Sequence, residues 1–136
     1  MKIALCGSLA FAKEIMDAEK KLQEHGHTTI VPLEAETFTT GRSNDWHHEP
    51  DFARQGMLGH YDNIAQSDGI LVVNIEKNNI KGYIGGATLL EMGIACYLKK
   101  KIFILNPIPS AEEIRYVQEI KLMQPIILNG DLSLIQ

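Results

Sequence analysis

Short apolar runs alternate with segments of helical spacing along this chain. Ile3-Ala4-Leu5-Cys6 runs apolar into Gly7-Ser8, which predicts a buried strand followed by a tight loop. From Ala10 to Glu24 the spacing turns helical. Ile15, Ala18 and Leu22 share one face, while Lys13, Glu14, Asp17, Lys20 and Lys21 are mostly solvated. His25-Gly26-His27 closes this helix, with Gly26 as its left-handed cap. Thr28-Thr29-Ile30-Val31 is β-branched and reads as a second strand, ended by Pro32. Strand, helix, strand in so short a stretch is the unit that implies a parallel sheet.

Leu33 to Pro50 is polar and irregular, and a loop of that length in a small domain is functional or disordered. Asp51 to Ser67 reads as a helix with Phe52, Met57, Tyr61 and Ile64 as its apolar stripe, weakened by Gly56 and Gly59. Gly69-Ile70-Leu71-Val72-Val73-Asn74 is the clearest buried strand. Ile75 to Gly86 is a second loop, rich in Asn, Lys and Gly, and with the first it is expected to be mobile and to flank the site. Ala87 to Leu98 has few charges and reads as a helix packed on both sides; Lys99-Lys100-Lys101 suits its negative end. Ile102-Phe103-Ile104-Leu105 is a fourth strand, Ala111 to Met123 a helix, and Pro125-Ile126-Ile127-Leu128 a fifth strand. The pattern predicts a single α/β domain over residues 1–136. Its sheet is open, parallel, five-stranded and flavodoxin- or Rossmann-like, in the order 2-1-3-4-5, with helices on both faces.

Composition narrows the function. Of 136 residues, 45% are hydrophobic, enough for one core without a disulfide or metal staple. Thirteen basic against 17 acidic residues give a net charge of −4, which argues against a nucleic-acid polymer or a polybasic membrane partner. No apolar run approaches the roughly 18 residues of a membrane span. The opening run is too short for a signal peptide. Cys6 and Cys96 sit far apart in apolar segments and read as buried free thiols, which implies a cytoplasmic protein.

In an open α/β sheet ligands bind at the carboxyl ends of the strands, where strand order reverses. Here that point lies between the first and third strands. Gly7 lets the chain turn beside a ligand there, and Ser8 offers a hydroxyl; the structural alternative is a plain capped turn. Gly85-Gly86-Ala87-Thr88 opens a helix whose free N–H groups suit an anion. Neither a dinucleotide fingerprint nor a P-loop is present. Glu91 stands in an otherwise apolar helix near this edge. It reads as a nucleophile, as a ligand for sugar hydroxyls, or as a complement to the helix dipole. Asn74 ends the third strand with both donors and an acceptor to offer. Asp68 lies at the other end of that strand and reads as a turn residue, while Lys77, Lys81 and Tyr83 are placed to close over a ligand. His47-His48, with Asp45 and Glu49, matches no zinc spacing, and no metal is expected. His60 reads as an exposed or core-satisfied side chain, and Trp46 as a loop anchor or a base-stacking lid.

Three stretches carry a family likeness: Ile3-Ala4-Leu5-Cys6-Gly7-Ser8, Ser67-Asp68-Gly69-Ile70-Leu71-Val72-Val73-Asn74, and Gly85-Gly86-Ala87-Thr88-Leu89-Leu90-Glu91-Met92-Gly93-Ile94-Ala95. Together they resemble nucleoside 2-deoxyribosyltransferases and deoxynucleoside monophosphate N-glycosidases. The closest likeness is to an uncharacterised bacterial and archaeal branch with Tyr83-Ile84-Gly85-Gly86 and Glu91-Met92-Gly93. The resemblance implies Glu91 as the carboxylate that attacks the anomeric carbon. It implies Gly7, Ser8, Asn74, Tyr83, Gly85, Gly86 and Thr88 around the substrate, with Asp68 in a supporting place. The departure is at Gly85, where active relatives often carry Asp or Ser. The implied activity is cleavage or transfer at the N-glycosidic bond of a nucleoside or nucleotide, with no cofactor, in a homo-oligomer. The alternative is a non-catalytic nucleotide sensor on the same fold.

Overall fold

In a computed structural model, residues 1–32 and 50–136 are described. The strands are β1 (Lys2–Cys6), β2 (Thr28–Ile30), β3 (Gly69–Val72), β4 (Lys101–Ile104) and β5 (Ile126–Ile127). All pair in parallel, in the order β2-β1-β3-β4-β5, as the alternating pattern predicts. β1 aligns Ile3 with Gly69 and Cys6 with Val72, so both strands end level at the carboxyl edge. The helices are α1 (Ala12–Glu24), α2 (Pro50–Ala65), α3 (Gly86–Tyr97) and α4 (Val117–Leu122).

The period-two alternation of the strands divides the core into two layers. Ile3, Leu5, Leu71 and Phe103 face Ile15, Ala18 and Leu22 of α1. Ala4, Cys6, Ile70, Val72, Ile102 and Ile104 face Ile64 of α2, Met92 and Ala95 of α3, and Ile120 of α4. Gly26 takes φ +90°, the left-handed cap expected at the end of α1, and the His27 N–H reaches back to the Leu22 carbonyl at 3.0 Å.

Several expectations need correction. A 3-10 turn over Leu9–Phe11 precedes α1, so the α-helix starts two residues late. Phe52 and Met57 are exposed; the buried residues of α2 are His60 and Ile64. α3 is not covered on both sides among the described residues, since Leu90 and Tyr97 are exposed. Cys96 is exposed as well, because it falls on that outer face. The helix expected from Ala111 shrinks to α4. Turns ahead of it carry Ile114 into the core and let the Tyr116 hydroxyl donate to the Ile84 carbonyl. The second loop is built rather than loose. Asn78 and Asn79 both take left-handed φ values, 53° and 62°, and Lys77 and Ile80 exchange N–H···O bonds of 3.1 and 2.9 Å. That is a tight hairpin turn of the type Asn favours.

Candidate active site

A cavity of about 300 Å³ opens at the carboxyl edge where strand order reverses. Gly7 and Leu9 after β1 form its floor, with Pro32 after β2 beside them. Ala53, Arg54, Gly56, Met57, His60 and Tyr61 of α2 form one wall, and Ala87, Leu90 and Glu91 of α3 the other. Gly7 has to be glycine, because a Cβ there would lie 2.9 Å from the Val73 carbonyl oxygen. The lining is mostly apolar with a few polar groups, the usual character of a small-molecule site.

Glu91 sits in the second turn of α3, its side chain 15% exposed. Cys6 Sγ, His60 Nε2 and a Glu91 carboxylate oxygen all lie within 4.8 Å of one another. His60 Nε2 lies 2.9 Å from the Leu5 carbonyl oxygen, 3.6 Å from Cys6 Sγ and 3.7 Å from Glu91 Oε2. The Asn63 side-chain amide donates to His60 Nδ1 at 3.2 Å. With Nδ1 accepting, the ring proton is on Nε2 and points at the Leu5 carbonyl. Reversing the amide would leave two acceptors in contact at Leu5, so the tautomer is fixed.

Burial pushes the Cys6 thiol well above its ordinary value. The Glu91 carboxylate adds to this by its charge and by accepting a hydrogen bond from the thiol. Burial also lowers the pKa of His60, against an opposing pull from the Leu5 hydrogen bond. Tyr61 is raised by partial burial and then by Glu91. At neutral pH the thiol, the imidazole and the phenol beside Glu91 are therefore neutral.

The other sequence-predicted residues are placed as follows. Ser8, between Gly7 and Leu9, caps the 3-10 turn by accepting from Ala10 N–H at 3.3 Å and receives Lys77 Nζ at 3.2 Å. Lys77 also lies over the Tyr83 ring, 5.4 Å from its centre, and that ring packs beside Gly85. Gly85 caps α3, Gly86 is its first residue, and Thr88 is buried. Asn74 is fully buried. Its amide donates to the carbonyls of Asn106 (2.9 Å), Gly82 (3.2 Å) and Pro107 (3.4 Å), and its oxygen accepts from Asn106 N–H at 2.8 Å. It ties together the loops after β3 and β4 and does not line the cavity that Glu91 lines. Asp68 accepts from Lys2 N–H at 2.7 Å at the amino edge of the sheet, the opposite end from Glu91. Thus Gly7 and Glu91 meet at one cavity. The cleft expected between Gly7-Ser8 and the Asn74–Gly86 loop is instead walled by α2. Asp45, Trp46, His47, His48 and Glu49 lie outside the described residues.

The sequence reading missed the wall from α2. His60 and Tyr61 are polar groups in a helix whose glycine, Gly56, thins the face toward the cavity, and that combination was the available signal. No helix among the described residues is long and apolar enough to cross a membrane.

No protein-family model matches the chain, and neither does any curated protein sequence. Solved structures do match. A 2-deoxyribosyltransferase from Bacillus psychrosaccharolyticus superposes with a TM-score of 0.57 at 20% identity, over 76% of this chain and 71% of that one. The CMP N-glycosidase BcmB of Clostridium botulinum superposes with a TM-score of 0.52 at 20% identity, over 95% and 89%. The sheet order, the helices around it and these superpositions agree: the chain has the fold of a 2-deoxyribosyltransferase and of a CMP N-glycosidase.

Proposed function

We propose that this protein is a nucleoside or nucleoside-monophosphate N-glycosidase, or a deoxyribosyltransferase, with Glu91 as nucleophile. One observation carries the reading. Glu91 lines the cavity at the strand-order reversal, together with Gly7 after β1 and with Arg54, Met57 and Tyr61 of α2.

In the reaction a Glu91 oxygen bonds to C1′ as the C1′–N bond breaks, through an oxocarbenium-like transition state. The base leaves with the bonding electron pair and takes a proton from water. In hydrolysis a second water then attacks C1′, the bond to Glu91 breaks, and the water's proton passes to solvent. In transfer a second base takes the place of that water. Met57, Tyr61 and Leu90 offer the base an apolar wall, and Arg54 offers a cation to an anionic substrate. Gly7 gives close approach to the sugar, with Ser8, Gly85, Gly86 and Thr88 around the start of α3. Asn74 ties the neighbouring loops, Tyr83 stacks under Lys77, and Asp68 supports the sheet from its far edge. The chemistry needs no metal or cofactor.

Residues 1–136 act in this proposal as one domain, in the cytoplasm. Two free thiols support that compartment. Exposed Phe52, Leu58, Leu90 and Tyr97 on α2 and α3 support a homo-oligomer.

The test is incubation with a panel of nucleosides and their monophosphates, with and without a second base, and free base followed by chromatography. Base release supports the enzyme. Tight binding with no release from any member establishes the second reading, a nucleotide sensor; Gly85, at the position where the resembling enzymes often carry Asp or Ser, favours that one.

A further inference from the structure

We propose that Cys6 is a positioning residue for Glu91: its thiol, held by His60 and Asn63, donates its hydrogen to the Glu91 carboxylate and keeps it ionised and turned into the cavity. The inference rests on the reading of Glu91 as nucleophile. It assigns a role to the last residue of β1, a fully buried thiol that the mechanism itself does not use.

The argument follows the hydrogens. Asn63 donates to His60 Nδ1, which puts the ring proton on Nε2. That N–H points to the Leu5 carbonyl at 2.9 Å, with Cys6 Sγ at 3.6 Å as its second acceptor. The sulfur therefore receives a hydrogen from His60 and has its own to give. Glu91 is the strongest acceptor within its reach, since the carboxylate oxygen and the sulfur belong to one cluster within 4.8 Å. A donor aimed at the charged form of a carboxylate lowers its pKa and fixes its orientation. Cys6 of β1 and His60 and Tyr61 of α2 are the described ionisable groups that face Glu91 most closely. Of these the thiol lies in the 4.8 Å cluster with the carboxylate oxygen and has a hydrogen to give, His60 has committed its own to the Leu5 carbonyl, and Tyr61 and Glu91 act on each other through charge. The cluster also has a donor set suited to zinc. A metal there would have to displace the Nε2 proton from its bond to the Leu5 carbonyl, so the Co²⁺ titration below tests that use directly.

The experiment compares wild type, Cys6→Ala and Cys6→Ser, each checked for folding by thermal melt. Two quantities are read: the pH dependence of base release, and the NMR titration of the Glu91 carboxyl carbon in labelled protein. Cys6→Ala should lower kcat about tenfold to a hundredfold with KM within about threefold, the usual effect of removing a group that supports a reacting one. Its Glu91 titration and the acidic limb of its rate profile should move up by about one pH unit. Cys6→Ser keeps a donor and should stay close to wild type in both. An unchanged Glu91 titration in Cys6→Ala, or an effect on KM alone, would overturn the proposal. So would a thiolate-to-cobalt absorption band when wild type is titrated with Co²⁺, if Cys6→Ala abolishes it. Should the wild type release no base, the NMR titration still reads the thiol's effect, so the two failures are distinguishable. Should Cys6→Ala not fold, the same coupling is read from the other side. In a Cys96→Ser background, Glu91→Gln should let the Cys6 thiolate form at lower pH by ultraviolet absorbance, and an unmoved thiol would refute the coupling.

Discussion

Glu91, Cys6 and His60 form a charge arrangement that individual substitutions can take apart. Glu91→Gln keeps the shape of the side chain and removes the carboxylate proposed as nucleophile. It should reduce base release at least a thousandfold while nucleotide binding stays within about tenfold, measured by initial rates and calorimetry. Full activity in that variant would remove Glu91 from the mechanism. His60 gives a test by pH. Its folded-state pKa lies below the ordinary 6.5, so between that lowered value and 6.5 the unfolded chain binds the extra proton. Stability from a neutral His60 is therefore present above about 6.5 and is lost as pH falls toward the folded pKa. Urea unfolding midpoints should drop as pH falls below about 6.5. In His60→Gln, where the amide can still donate to the Leu5 carbonyl, the slope should flatten; an equal slope would assign the acid sensitivity elsewhere.

At the scale of elements, the loops that follow β3 and β4 are held by a side chain rather than by strand pairing. Asn74 donates to three carbonyls and accepts the Asn106 N–H, and Asn106 returns a bond from its own amide to the Asn74 carbonyl at 2.9 Å. Asn74→Ala leaves these buried backbone groups unsatisfied and should cost about 2–4 kcal/mol in chemical denaturation. With excess substrate and folded protein, KM should change less than about threefold, because the amide does not line the Glu91 cavity. A large rise in KM with stability intact would return Asn74 to the binding site. The helices divide the labour differently: α3 brings the carboxylate, and α2 brings the apolar wall and the His60 and Asn63 pair that orders Cys6.

Across the whole molecule, the two thiols lie on the same side of the sheet at different depths. Cys6 ends β1 under both outer helices and is fully buried, while Cys96 lies on the outer face of α3. Burial and the Glu91 charge both keep Cys6 protonated. Iodoacetamide at neutral pH should label one thiol in the native protein, Cys96, and both once urea unfolds the chain, as read by mass spectrometry. Rapid native labelling of Cys6 would show that the α2 wall opens readily. The same wall bears on assembly, since exposed apolar side chains of α2 and α3 border the cavity mouth at Met57 and Leu90.

The sequence by itself determined the strand order and the edge of the sheet at which to look for a site. The runs at Ile3 to Cys6 and Ile70 to Val73, the period-two alternation and the handedness of parallel crossovers leave little choice of sheet, and strand order reverses beside Gly7. Glu91 was legible because a carboxylate in so apolar a helix asks for a reason. Only the tertiary structure decided which residues surround it. Asn74 and Asp68 had suitable chemistry but were taken up by Asn106 and Lys2, partners remote in the chain. His60 and Cys6 are 54 residues apart, and no local pattern joins them. Helical and strand periodicity report which face of an element is buried. Which two buried faces meet depends on the packing of α2 and α3 over β1, where long-range contacts select one partner among many compatible with the pattern.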